Sequence, residues 1–217
     1  MSKVSAIIIG SISVDRSIFD KLDGVKIFQV TDRKSCDEIV NNVAEDDVVF
    51  IISDGREVYY AEKFFSRLQA LKIYLVTEAH AADNKNLRDV IIQLPEEDFT
   101  QIIHDIIGAF GEFEFIDLKT MLKNSGKAVA MMNIADSLES AVDNLIAQNG
   151  DAIKSANVIL VSIFGTSDSL SMFAVNDATE KIQNNANENA DLIWKVTSTN
   201  DFGDKVKVGI TVGRFLG

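Results

Sequence analysis

Five short apolar runs dominate the first 95 residues and constrain the fold more than any other feature of the chain. They lie at residues 4–9, 25–30, 47–52, 72–77 and 89–94. A strand that is buried on both faces is apolar at nearly every position, whereas a half-exposed strand alternates between polar and apolar residues. The runs therefore predict a parallel sheet with helices on both of its faces.

The segments between these runs have the apolar spacing of helices. One such segment ends at Gly24, and another covers 35–43, where Ser35 can cap the helix and Glu38 follows three residues later. A third helix is predicted over 57–71. Pro95 and the three acids after it start a fourth, because proline and negative charge both favour a helix N-terminus.

Ligands of open parallel sheets bind at the carboxyl ends of the strands. Here those ends carry short polar segments that begin at Gly10, Thr31, Ser53 and Thr77. The sequence predicts that any small-molecule site of this half lies there.

The second half has a different rhythm. Strands are predicted over 128–134 and 157–164. Helices are predicted over 117–125, 137–148 and 169–186. The last two strands, 192–198 and 206–212, alternate in polarity around a turn at 200–203, so they predict an antiparallel hairpin with one face in water. We expect Ser167 or Asp168 to cap the helix at 169–186. This half is predicted to be α+β, a mixed sheet with helices on one side.

Composition excludes several classes of protein. The formal net charge of −12 argues against binding to nucleic acid or directly to an anionic membrane, both of which need a basic face. A single cysteine, Cys36, precludes an internal disulfide and fits a reducing cytoplasm, and we expect its side chain to pack in the core. No apolar stretch is long enough for a signal peptide core or a membrane span. Neither His80 nor His104 has the spacing of a metal ligand, so no metal site is predicted.

Several segments between residues 110 and 215 resemble the FtsZ branch of the FtsZ/tubulin family. They are Asp117-Leu-Lys-Thr-Met-Leu-Lys-Asn-Ser-Gly-Lys-Ala128, Ala135-Asp-Ser137, Val158-Ile-Leu-Val-Ser-Ile-Phe-Gly165, Phe173-Ala-Val-Asn-Asp-Ala-Thr-Glu-Lys-Ile182, Ala190-Asp-Leu-Ile-Trp194 and Asp204-Lys-Val-Lys-Val-Gly-Ile-Thr-Val-Gly-Arg-Phe215. The resemblance implies a Rossmann-like, GTPase-type domain at 1–95, here shortened, a central helix at 96–111 and an FtsZ-like α+β domain at 112–217.

The resemblance also implies a GTP site, but its glycine-rich loops are missing. Glycine lets backbone N–H groups approach phosphate closely. Gly10 and Ser11 stand where the family has several glycines, and Ser53, Asp54 and Gly55 stand where it has its glycine-rich signature. These five residues are the nucleotide-binding candidates, but Asp54 would repel phosphate, and a plain turn is the favoured interpretation of both segments. We therefore expect neither GTP nor any other cofactor.

The acidic loop that reaches the neighbouring subunit's nucleotide in this family corresponds to residues 112–117. Asp117 matches the family's pattern, while Glu112 and Glu114 depart from it. A carboxylate there would polarise an attacking water, but without a bound nucleotide it has nothing to act on. These acids are interpreted as a vestigial catalytic loop or as solvated residues, with Asp117 also a candidate helix N-cap.

Two phenylalanines of the same loop, Phe113 and Phe115, form with Asp117 a predicted interface. The first hypothesis is thus a GTP-independent, FtsZ-like pseudo-GTPase that acts in the cytoskeleton or in cell division by binding itself or an FtsZ-family protein. The alternatives are an enzyme, a GTPase with a rebuilt pocket, and a ligand-binding or protein-binding module on a Rossmann-like scaffold.

Overall fold

The chain forms two compact units. The computed structural model describes residues 3–10, 12, 14, 24–77, 90–94, 102, 103, 106 and 127–214. One unit comprises Met1–Ala128 together with Leu216–Gly217, and the other comprises Val129–Phe215. Most of the predicted central helix and all of the predicted helix at 117–125 lie outside the described residues. Ile102, Ile103 and Ile106 of the central helix are helical and buried.

The first unit contains a parallel sheet, as the five apolar runs predict. The strands are β1 (Val4–Ile9), β2 (Lys26–Val30), β3 (Val48–Ser53), β4 (Leu71–Val76) and β5 (Val90–Gln93). Their order is β2-β1-β3-β4-β5, and each neighbouring pair is parallel. Every strand predicted for this unit is therefore confirmed, with ends that differ by at most one residue.

Two helices in the described part of this unit cover one face of the sheet. They are α1 (Arg33–Asn42) and α2 (Val58–Arg67). Cys36 of α1 and Phe64 of α2 pack with Ile7, Ile51 and Tyr74 of the strands in one buried core. The packing of Cys36 agrees with its predicted role. Side chains of the opposite face are buried as well, which explains why these strands are apolar at nearly every position.

The start of α1 corrects one prediction. Asp32, and not Ser35, is the N-cap: the Asp32 carboxylate accepts from the Ser35 N–H at 2.7 Å, and the Ser35 hydroxyl oxygen accepts from the Asp32 N–H at 3.1 Å. This reciprocal pair is a capping box in which serine takes the position usually held by Glu or Gln. The helix accordingly begins two residues earlier than expected.

The second unit contains a mixed sheet whose helices pack on one face, as predicted. Its elements are β6 (Lys127–Ala135), α3 (Leu138–Lys154), β7 (Val158–Gly165), α4 (Met172–Asn185), β8 (Asp191–Ser198) and β9 (Val206–Arg214). The strand order is β6-β9-β7-β8. Leu145 of α3 and Ile182 of α4 share a core with Ile159, Val161 and Ile210 of the sheet.

The predicted hairpin between the last two strands is wrong. β9 pairs antiparallel with β7, from Val158↔Gly213 to Phe164↔Lys207, and β8 pairs parallel with the other side of β7. A turn does follow β8, but it leads the chain across β7 and not back beside β8. The alternation of β9 is misleading because its polar residue Lys207 is fully buried, with its ammonium 4.3 Å from the Phe164 ring centroid and 4.6 Å from that of Phe202.

The helices of this unit begin at serine caps. Ser137, the first residue of the helix predicted over 137–148, is the N-cap of α3. Ser171 caps α4, so the prediction of Ser167 or Asp168 is wrong. The helix α3 continues six residues beyond its predicted end, past non-helical backbone at Asn149. The break that the sequence indicates near Gly150 is thus a kink and not an end.

Candidate functional site

The structure brings four of the five nucleotide-binding candidates together. β1 and β3 are parallel neighbours in which Ile8 pairs with Ile52. Gly10 and Asp54 each lie two residues further on, at the carboxyl ends of these strands. The Asp54 Oδ1 atom is 4.0 Å from the place where a Cβ on Gly10 would lie. Ser11, the fifth candidate, lies outside the described residues.

Gly10 has the backbone of a turn. Its φ of +81° falls in the left-handed region that favours glycine. Its carbonyl oxygen accepts a hydrogen bond from Gln29 Nε2 at 3.1 Å. A Cβ at this position would make only ordinary van der Waals contacts, so it is the backbone conformation that calls for glycine here.

The residues after β3 form a tight turn that satisfies its own amide groups. The Gly55 N–H donates to Ser53 Oγ at 3.0 Å, and the Arg56 N–H donates to Asp54 Oδ1 at 2.9 Å. Gly55 has a φ of +89°. The Thr77 hydroxyl, directly after β4, donates to the Asp54 carbonyl at 3.4 Å. The turn therefore keeps these two backbone donors occupied within the chain.

Two carboxylates face Gly10. Asp54 lies beside Arg56, with 3.7 Å between Oδ2 and Nε. Glu57 is the N-cap residue of α2, and its side chain makes no capping hydrogen bond. Instead, the Glu57 carboxyl carbon is 3.8 Å and its Oε2 atom 3.9 Å from the Cβ position on Gly10. Phosphate sites need free backbone N–H groups and little negative charge, whereas here the N–H groups of Gly55 and Arg56 are bonded within the turn and two carboxylates lie beside Gly10.

Sequence reasoning missed Glu57. It was placed at the start of the predicted helix 57–71, where an acid is ordinary. The available signal was its spacing of three residues from Asp54, but its approach to Gly10 depends on where α2 starts and on the pairing of β1 with β3.

A buried hydroxyl lies next to this turn. Tyr74, on β4, is fully buried, and its hydroxyl has no hydrogen-bond partner within the described part of the chain. Burial raises the pKa of Tyr74, and the nearby Asp54 carboxylate raises it further.

Solved structures of known proteins reproduce this architecture over almost the whole chain. An empty dimer of FtsZ from M. jannaschii matches with a TM-score of 0.80 and 15% sequence identity, over 98% of this chain and 88% of that chain. The chain has an FtsZ/tubulin-like fold. A GTPγS-bound protofilament of CetZ2 from Haloferax volcanii matches with a TM-score of 0.61 and 10% identity, over 98% of this chain and 93% of that one.

At the level of sequence the likeness is weaker. No family model matches the chain. The cell division protein FtsZ of Wolbachia pipientis is 25% identical over 136 residues, which is 59% of this chain and 42% of that protein. The matched segment thus spans less than half the length of this curated relative. The FtsZ-like fold agrees with the predicted fold class and with the resemblance found in the sequence.

The acidic loop of the FtsZ-like fold stays a prediction. Glu112, Phe113, Glu114, Phe115 and Asp117 all lie outside the described residues, so neither their vestigial catalytic role nor their interface is tested by the structure. In the part of the chain that is described, no three or more His, Cys, Asp or Glu side chains cluster as metal ligands. None of the described helices is long and apolar enough to cross a bilayer.

The second unit presents an apolar pair to solvent. Met172 and Phe173, in the first turn of α4, are 75% and 84% exposed. The rest of α4 is amphipathic, and its buried residues Val175, Ala178 and Ile182 pack against the sheet. The two adjacent side chains form a small exposed apolar patch at the start of α4.

Proposed function

We propose that this protein is a non-catalytic, FtsZ-like protein of the cytoskeleton or of cell division. It acts in the cytoplasm through contacts between subunits, either by assembling with itself or by binding an FtsZ-type filament, and it needs no GTP. The observation that carries the proposal is the pair of carboxylates, Asp54 and Glu57, facing Gly10 in an otherwise FtsZ-like fold.

The independence from GTP rests on charge and on hydrogen bonding. In bulk water, a unit charge on phosphate about 5 Å from a carboxylate is disfavoured by about 0.8 kcal/mol, and less polar surroundings increase the penalty. Two carboxylates and a multiply charged phosphate multiply this term. The N–H groups of Gly55 and Arg56, which would offset it, already have partners in the chain.

The proposal of subunit contacts rests on the fold and on one surface. Proteins with a similar fold have been solved as a dimer, in the case of FtsZ, and as a protofilament, in the case of CetZ2. The exposed pair Met172 and Phe173 supplies an apolar surface on which such a contact can be built. Met172 and Phe173 belong to the second unit, whereas Gly10 and residues 53–55 belong to the first, so the proposed contact at this pair does not depend on the nucleotide loops.

The first test is a titration of the purified protein with fluorescently labelled GTP and Mg²⁺, with CetZ2 from Haloferax volcanii as the positive control. We expect no saturable binding in the micromolar range. Micromolar binding to this protein would contradict the proposal and favour a GTPase with a rebuilt pocket.

The second test asks whether the protein assembles without nucleotide. Sedimentation and electron microscopy of the protein, alone and mixed with FtsZ, are expected to show filaments, dimers or co-pelleting. A protein that stays monomeric and fails to pellet with FtsZ would instead be a ligand-binding or protein-binding module.

A further inference from the structure

We infer that Asp54 is a built-in anion that, together with Glu57, keeps the turn at residues 53–57 closed to phosphate-bearing ligands. This inference rests on the proposed independence from GTP and assigns it to two side chains. The closure is then an active electrostatic property of these carboxylates and not only a consequence of missing glycines.

The hydrogen bonds of the turn show what Asp54 does. The Asp54 carboxylate accepts from the Arg56 N–H at 2.9 Å, while Ser53 Oγ takes the Gly55 N–H at 3.0 Å. Successive N–H groups just before a helix are the donors that a bound anion ordinarily uses. Asp54 thus accepts from its own chain a bond that an external phosphate would need.

Arg56 offsets only part of the negative charge at the turn, because Asp54, Glu57 and Arg56 together carry a formal net charge of −1. The guanidinium of Arg56 is 78% exposed and lies 3.7 Å from the Asp54 carboxylate, which itself is only 24% exposed. Arginine pairs well with phosphate, but here it has a carboxylate beside it. No acid lies in the first turn of α2, so Asp54 and Glu57 supply the negative charge before its N-terminus.

Glu57 extends the closure over Gly10. Both Glu57 Oε2 and Asp54 Oδ1 lie within 4.0 Å of the same point, the Cβ position on Gly10. A phosphate placed above Gly10 would meet both carboxylates at once. A purely structural role for Asp54, as the side chain that closes a turn, explains the bond to Arg56 but not the presence of Glu57.

Inorganic pyrophosphate is a suitable probe, because it carries the phosphate charge without a base or a sugar. Its affinity is measured by isothermal titration and by thermal unfolding at constant ionic strength. The test variant is Asp54→Ala with Glu57→Gln. The control variant, Asp177→Ala with Glu180→Gln on the exposed side of α4, removes the same charge elsewhere.

We expect the test variant to bind pyrophosphate at least about tenfold more tightly than the wild type and the control variant. Asp54→Asn with Glu57→Gln removes the charge but keeps an acceptor for the Arg56 N–H. Its affinity for pyrophosphate is therefore expected to fall between that of the wild type and that of the alanine test variant. Because this second variant preserves the hydrogen bond of the turn, it keeps the inference testable if the alanine variant does not fold.

Two results would overturn the inference. One is an equal affinity of the test and control variants for pyrophosphate, which would mean that the change in net charge alone explains the effect. The other is an absence of any gain in both test variants. Either leaves the proposed function standing if the wild type binds no GTP, whereas GTP binding by the wild type contradicts both.

Discussion

At the scale of single residues, Tyr74 carries a hydroxyl that contributes little to the fold. A buried polar group without a partner costs about 1–3 kcal/mol. We therefore expect Tyr74→Phe to leave the free energy of unfolding unchanged or to raise it by about 1 kcal/mol, as measured by urea denaturation. A loss of more than about 1 kcal/mol would show that the hydroxyl is hydrogen-bonded in solution.

Asp37 gives the first unit a dependence on pH. Its carboxylate accepts from Arg67 at 2.5 Å and from Lys63 at 3.3 Å, and these bonds, with that to Arg67 the stronger, hold the pKa of Asp37 below its ordinary value of 3.8. A group whose pKa is lower in the folded state stabilises the fold above the ordinary pKa. This stabilisation is lost as the pH falls below about 3.8 toward the lowered pKa.

Asp37→Asn should accordingly be less stable than the wild type at pH 7 and should approach it as the pH falls below about 4. Urea denaturation at a series of pH values measures the difference, with Asp177→Asn as a control for net charge. A difference that stays constant across the series would mean that the ion pairs with Arg67 and Lys63 do not stabilise the fold.

Single residues were predictable from the sequence where their neighbours along the chain decide their role. The turn at Gly10 and the negative charge of Asp54 are of this kind. Glu57 is not, because its position above Gly10 follows from the pairing of β1 with β3 and the first residue of α2. The candidate site was thus found by strand ends, but its second carboxylate needed three-dimensional contacts.

At the scale of elements, the capping box makes Asp32 the residue that fixes the start of α1. The hydrogen bond from the Ser35 N–H is the main reason why the pKa of Asp32 lies below its ordinary value. Asp32→Ala should lower the free energy of unfolding, whereas Asp32→Asn should lower it much less, because asparagine is an equally good N-cap. If the two variants lose equal stability in thermal unfolding, the carboxylate acts through its charge and not as a cap.

The strands of the first unit were predicted closely because a strand that is buried on both faces has a continuous apolar sequence. The sequence of β9 does not have this pattern. Lys207 and Thr211 place polar residues on one face of β9, as in an exposed strand, yet both are buried. Local polarity cannot show that two aromatic rings, Phe164 and Phe202, enclose the Lys207 ammonium. Strand pairing is set by such long-range contacts, so the hairpin prediction failed.

At the scale of the whole molecule, the exposed pair on α4 gives the proposed assembly a specific test. Because Met172 and Phe173 contact mainly water, Met172→Ser with Phe173→Ser should change the free energy of unfolding by less than about 0.5 kcal/mol. If the pair lies at the centre of a subunit contact, the dissociation constant should rise about tenfold or more.

Sedimentation equilibrium without nucleotide measures that constant. Tyr59→Ser, which changes an apolar side chain of the first unit that is 54% exposed, is the matched control. Unaltered assembly of the double variant would exclude the α4 pair as part of the contact.

The fold class of the whole chain was recognisable from the sequence, because several segments of the second half resemble FtsZ and occur in the same order along the chain. The activity was not, since the departures from FtsZ lie in short loops where the sequence shows missing glycines but not what replaces them. The structure supplies that replacement in the turn after β3, with its amides bonded internally and two acids facing Gly10.

The position of β9 has a consequence for biosynthesis. This strand is made last within its unit but lies between β6 and β7, which are made earlier. During translation, β6, β7 and the helices of the second unit are synthesised before β9. Until β9 follows, no strand can occupy the position between β6 and β7. Its sheet can close only after β9 has left the exit tunnel, whereas the strands of the first unit have long been available to pair. The second unit therefore completes its sheet only once β9 has emerged, and the facing edges of β6 and β7 stay unpaired until then.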